Sequence, residues 1–145
     1  MKKFKKILKN QQGLTLVELL AVIVILGIVA AIAVPSIGNV INNSKDKAIL
    51  AEASSILSGA KLAILEGACD PGVAGKLCNQ AILGDKYVEG LAKLKDNTTA
   101  PTYEVTKSGN VYSVTFNKFG DINDKAKFAI TNNTITEPAL NTFLK

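Results

Sequence analysis

The chain has 145 residues with 17 Lys and no Arg, 12 Asp plus Glu, and neither His nor Trp. Lacking His, it has neither the usual general base nor the usual neutral zinc ligand; lacking Arg, it has no bidentate reader of phosphates and base edges. Acid–base catalysis and a dedicated nucleic-acid surface are therefore disfavoured before any motif is read.

The first segment carries Lys2, Lys3, Lys5, Lys6 and Lys9 with no acidic residue before Gly13. From Leu14 to Val34 follow 21 residues with only two polar side chains, Thr15 and Glu18. As an α-helix this run spans about 30 Å, the thickness of a bilayer's hydrocarbon core. Lysines flanking an apolar span hold that end on the cytoplasmic side, so the rest of the chain is expected outside the cytoplasm. A carboxylate inside such a run costs several kcal/mol and marks a function. Glu18 therefore needs a partner.

Gly13-Leu14-Thr15-Leu16-Val17-Glu18-Leu19-Leu20, with its short lysine-rich leader and Pro35 closing the run, resembles a type IV prepilin. The resemblance covers about the first 40 residues; Leu14 stands where phenylalanine is commoner in that family. It implies cleavage between Gly13 and Leu14 by a prepilin peptidase, N-methylation of Leu14, and an assembly role for Glu18 with Thr15 beside it. Two plainer readings explain less. A secretory signal peptide has an apolar stretch of roughly 7–15 residues, shorter than this one, and leaves Glu18 and Pro35 unexplained. A simple membrane anchor explains neither Glu18 nor the Gly13–Leu14 junction. Once the leader is removed, 12 Lys face 12 acidic residues, so the formal side-chain charge of the remainder is zero. The basic character belongs to the leader, and nucleic acid is not an expected partner.

The helix is expected to continue to about Glu66, weakened at Gly27, Pro35 and Gly38. Its later half turns amphipathic, with Ile49, Ala53, Ile56, Leu57, Ala60 and Ile64 on one face. In assembled filaments of the family, the segment comparable to Gly27–Pro35 is often extended, and the same is expected here. Gly67, Pro71, Gly72 and Gly75 mark a loop after the helix. Cys69 and Cys78 bracket it; outside the cytoplasm a disulfide is the expectation and free buried thiols the other reading. Their spacing fits neither a Cys-x-x-Cys motif nor a zinc site.

A second helix is read from Asn79 to Leu94, with Gly84 and Gly90 against it, then a loop from Lys95 to Pro101. Beyond it the period becomes two. Tyr103 and Val105, then Tyr112, Val114 and Phe116, flank a turn at Lys107–Asn110 and read as a β-hairpin. Phe128 and Ile130, the Asn132-Asn133 turn and Ile135 suggest a second hairpin. The fold class is thus α+β: a long N-terminal helix whose C-terminal half packs on a small antiparallel sheet of four strands. The expected division is a leader at 1–13, a transmembrane and filament-core helix at 14–41, and a headpiece at 42–145.

No residues are grouped for catalysis, and no cofactor is expected. Asp121, Asn123 and Asp124 supply oxygen donors of the kind some pseudopilins use for calcium, but three donors do not complete a calcium shell, and a solvated loop is the plainer reading. The family resemblance implies a structural subunit of a type IV pilus, serving adhesion, twitching motility or surface attachment. Its implied partners are copies of itself, the prepilin peptidase, a pilus assembly platform protein and a cytoplasmic assembly ATPase. The resemblance further implies that it begins as a single-pass precursor in the cytoplasmic membrane and moves to a cell-surface pilus. The alternative is a pseudopilin of a type II secretion or competence DNA-uptake machine.

Overall fold

A computed structural model describes residues 2–73, 76–91 and 101–145. The chain forms two compact units, Met1–Ile41 and Asn42–Lys145. One helix, α1 (Lys2–Leu65), has residues in both and includes Pro35 in its interior. Its backbone starts at Lys2, ahead of Leu14. Lys, Gln and Leu are good helix formers, and a lone glycine such as Gly13 costs only about 1 kcal/mol. The C-terminus is where the sequence places it. Gly67 adopts φ 71°, the Ala68 N–H donates to the Ala63 carbonyl at 2.9 Å and the Gly67 N–H to Ile64 at 3.0 Å. This is a Schellman cap, and the left-handed residue is a glycine because no Cβ opposes it.

In Asn42–Lys145, the remaining elements are β1 (Cys78–Asn79), α2 (Gln80–Tyr87), β2 (Tyr103–Ser108), β3 (Val111–Phe116), a 3₁₀ turn (Asn117–Asp121), β4 (Thr134–Thr136) and α3 (Glu137–Phe143). The sheet is antiparallel in the order β1-β2-β3-β4. The β2–β3 hairpin closes on Gly109 and Asn110 between the paired Ser108 and Val111. Gly109 has φ 60°, the sign a II′ turn requires at its first central residue.

Three elements differ from the sequence expectation. The second helix stops at Tyr87 rather than Leu94. Asn79 caps it, its Oδ1 accepting from the Ala81 and Ile82 N–H groups at 3.1 and 3.3 Å, but Gly84 sits at non-helical angles, φ −22° and ψ −136°. Leu94, the 95–100 loop and Gly75 lie outside the described residues. Phe128 and Ile130 alternate as a strand would, yet they belong to a turn in which Ala129 has φ 53° and the Ile130 N–H donates to the Lys125 carbonyl. The second hairpin shrinks to a Thr131–Thr134 bridge across Asn132 and Asn133. Both asparagines have positive φ, 51° and 56°, the I′ pattern. The fourth strand is instead β1, two residues long.

One core unites α1 with the sheet. Ile49, Ala53, Ile56, Leu57 and Ala60 are buried as their spacing predicts, joined by Leu50 and Ala63, with Ile64 packed at the margin. Val105, Val114, Phe116 and Ile135 supply the sheet's inner face, and Phe119, Phe128, Leu83 and Leu140 close the edges. Edge-to-face rings at Tyr103–Phe116 and Phe116–Phe119, with centroids 6.4 and 5.5 Å apart, extend it. Cys69 and Cys78 form a disulfide across a Cα distance of 5.2 Å, and both residues are buried. It joins the segment after α1 to β1, and closing so short a loop contributes about 2–3 kcal/mol.

Candidate assembly surface

Apolar helix positions ordinarily face a core, but those of Met1–Ile41 do not. Every side chain from Thr15 to Ile41 is exposed except Ala33, which is half-buried. Leu16 and Ile32 are each 71% exposed and Val34 68%. α1 contains a stretch long and apolar enough to cross a membrane. Such a surface exceeds what a soluble monomer leaves uncovered, so lipid or protein must cover it.

Glu18 is the single acid on this surface, and it is exposed. Among the described residues no ion pair engages it. It lies four residues, one helical turn or about 6 Å, beyond Leu14. Gly13 and Leu14 are within the helical backbone of α1, and their side-chain surroundings lie outside the described residues. Thr15 is exposed one turn before Glu18. Nothing lies within 4 Å of a Cβ built at Gly27, so packing in this chain does not require a glycine there. Pro35 withholds one backbone donor from the helix ladder. These two residues lower the helix's local stability without interrupting it.

The headpiece holds polar contacts that sequence reading missed. Lys118, 8% exposed, donates to both carboxylate oxygens of Glu52 at 2.8 Å. Asp46, 2% exposed, accepts from the Asn123 backbone N–H at 3.2 Å and its amide Nδ2 at 3.0 Å. Partners 66 and 77 residues apart leave no local signal. Asp46 alone left one, since it falls one turn before Leu50 on the buried face. Lys61 pairs with Glu137. Glu66 accepts from the Tyr87 hydroxyl at 2.7 Å and Lys86 at 3.0 Å. The Tyr87 hydrogen bond, followed by Lys86, holds the Glu66 carboxyl below its ordinary range. Lys86 is raised by its hydrogen bonds to Tyr87 and Glu66.

The three candidate calcium residues each make contacts within the chain. The Asn123 amide nitrogen donates to Asp46, Asp124 Oδ1 accepts from the Lys127 N–H at 3.0 Å, and Asp121 has an interaction of its own. Among the described residues no three His, Cys, Asp or Glu side chains come together as a metal site.

A family model described as the prokaryotic N-terminal methylation motif matches residues 8–34. The chain is 34% identical over 126 residues to a type IV major fimbrial protein, FimA, of Dichelobacter nodosus; the match spans 83% of this chain and 76% of that protein. It is 40% identical over 60 residues to two fimbrial proteins of Pseudomonas aeruginosa, covering 41% of this chain and 39% of theirs. No solved structure matches the chain.

Proposed function

This chain belongs to the type IV fimbrial protein, or type IV pilin, family, and from that premise we propose that it polymerises through α1, with Glu18 pairing to the N-terminal amine of a neighbouring copy. It is a structural subunit of a pilus and not an enzyme. The carrying observation is an exposed acid on an apolar helix surface with no ion-pair partner among the described residues of its own chain.

The sequence of events starts in the cytoplasmic membrane. The leader, residues 1–13, stays on the cytoplasmic side and is removed by the prepilin peptidase between Gly13 and Leu14. N-methylation leaves the new Leu14 amine basic, protonated and cationic. A lone ammonium or a lone carboxylate in hydrocarbon is costly, and pairing satisfies both. An incoming subunit therefore stops where its charges meet those of its neighbour. That contact sets axial register. Cohesion comes from elsewhere: Leu14 to Val34 contains 14 Leu, Ile or Val side chains, each contributing about 1.5–3 kcal/mol when kept from water. Burial holds the filament together, and the ion pair chooses where each subunit sits.

The platform protein and cytoplasmic ATPase are the assembly partners this reading requires, and the surface pilus serves adhesion, twitching or attachment. The names of the relatives favour a pilus over the secretion or DNA-uptake pseudopilin. Glu18→Ala decides the mechanism. The variant is expected to be cleaved at Gly13 and to accumulate in the membrane, with surface filaments reduced at least about 100-fold, the scale of roughly 3 kcal/mol for an unpaired intramembrane charge. Filaments at wild-type abundance by electron microscopy would refute the pairing.

A further inference from the structure

We propose that a shallow groove on the outer face of the sheet is a binding site for a neutral saccharide. Inward residues of the strands, Tyr103, Val105, Val114, Phe116 and Ile135, are buried, so their neighbours in sequence project outward. The register sets Glu104 opposite Thr115 and Thr115 opposite Thr134. A carboxylate and two hydroxyls thus stand in a row across three strands, and the Thr115 and Thr134 hydroxyls lie 2.9 Å apart. The groove holds about 260 Å³ and is lined by Glu104, Thr115, Asn117, Asn132 and Asn133 beside Tyr103.

Its chemistry is specific in what it offers and what it lacks. Among the described residues no hydrogen bond or ion pair engages the Glu104 carboxylate, or the side-chain amides of Asn132 and Asn133. The Asn117 Oδ1 accepts from the Thr102 N–H at 2.9 Å, which leaves its two amide hydrogens to donate. The turn Thr131–Thr134 holds Asn132 and Asn133 in place through reciprocal backbone hydrogen bonds of 3.1 and 2.9 Å. Among the described residues no lysine lines the groove, so a phosphate or carboxylate ligand would meet Glu104 without a compensating cation from them. A carboxylate that only accepts, beside amides that both donate and accept, matches vicinal hydroxyls, each a donor and an acceptor. The groove is smaller than the roughly 300–1,000 Å³ of a drug-sized pocket, which suits about one or two sugar rings. One carboxylate with neutral donors falls short of a calcium shell.

The site does not depend on polymerisation, so it is tested on the full chain in detergent micelles. Wild-type protein is applied to an array of neutral and acidic oligosaccharides, and the methyl glycoside of the best-bound terminal sugar is then titrated by saturation-transfer NMR. Binding to a neutral sugar is expected. Glu104→Gln and Thr115→Val should each weaken it at least about tenfold with the melting temperature unchanged, while Lys107→Gln outside the groove leaves it intact. Wild type binding no glycan, variants binding as well as wild type, or a thermal shift with calcium chloride in place of sugar binding would each overturn the proposal.

Discussion

Tyr87 and Lys86 reach Glu66 from α2, across 21 and 20 residues of sequence, at the end of α1. Because the folded Glu66 carboxyl is held below its ordinary value, its contribution to stability is present above that ordinary value. It is lost as pH falls through the depressed folded value. Lys86, raised above 10.5, contributes below that pH and loses its share only as pH rises through the higher folded value. Both groups are exposed, so the effect is small and screened by salt. Wild type is expected to melt slightly above Glu66→Gln at pH 7, and the difference should shrink at acid pH, as the carboxyl protonates. A difference of the same size at pH 7 and at acid pH would assign Glu66 a role other than its charge. The Lys118–Glu52 pair is of another kind. It is largely shielded from water, so removing the Lys118 ammonium leaves the Glu52 carboxylate uncompensated, at about 3–5 kcal/mol.

At the scale of elements, the contact between α1 and the end of α2 depends on Gly59. A Cβ there would lie 2.4 Å from the Tyr87 carbonyl oxygen and 2.8 Å from Val88 Cγ2. The first of these is backbone and cannot swing away. Gly59→Ala gains about 1 kcal/mol of helix propensity but must displace α2, and overpacking typically costs about 1–3 kcal/mol. A net loss of melting temperature is expected, and a Gly59→Ala protein that melts at or above wild type would show that α2 yields freely. Other elements were legible from their residues. Gly67 announced the helix end, Asn132-Asn133 announced a turn, and Tyr103 to Phe116 announced a hairpin. Phe128 and Ile130 misled because an alternating apolar pattern does not reveal that the residue between them, Ala129, takes a left-handed conformation. β1 was invisible because two residues carry no periodicity, and their pairing with β2 accompanies the disulfide at Cys78.

For the whole molecule, the helix that is unbroken in the single chain is expected to open in the filament. Gly27 and Pro35 make Gly27–Pro35 the weakest part of the apolar run, at about 1 and 3 kcal/mol against helix, and close packing of neighbours is expected to compensate for extended backbone there. A filament density map should therefore lose helical features between Gly27 and Pro35; continuous helical density through both would overturn this. The sequence by itself determined the lysine-rich N-terminal segment, the membrane-length run with Glu18 in it, the helix end at Gly67 and the α+β class. Those are properties of local composition and period, which act through neighbouring residues. Tertiary structure alone decided that Lys118 faces Glu52, that Asn123 locks onto Asp46, that Gly59 admits α2, and that Glu104 meets Thr115 and the Asn132-Asn133 turn around one groove. Each brings together residues far apart in the chain, and only the packed core, by selecting one register and one set of approaches, makes them neighbours.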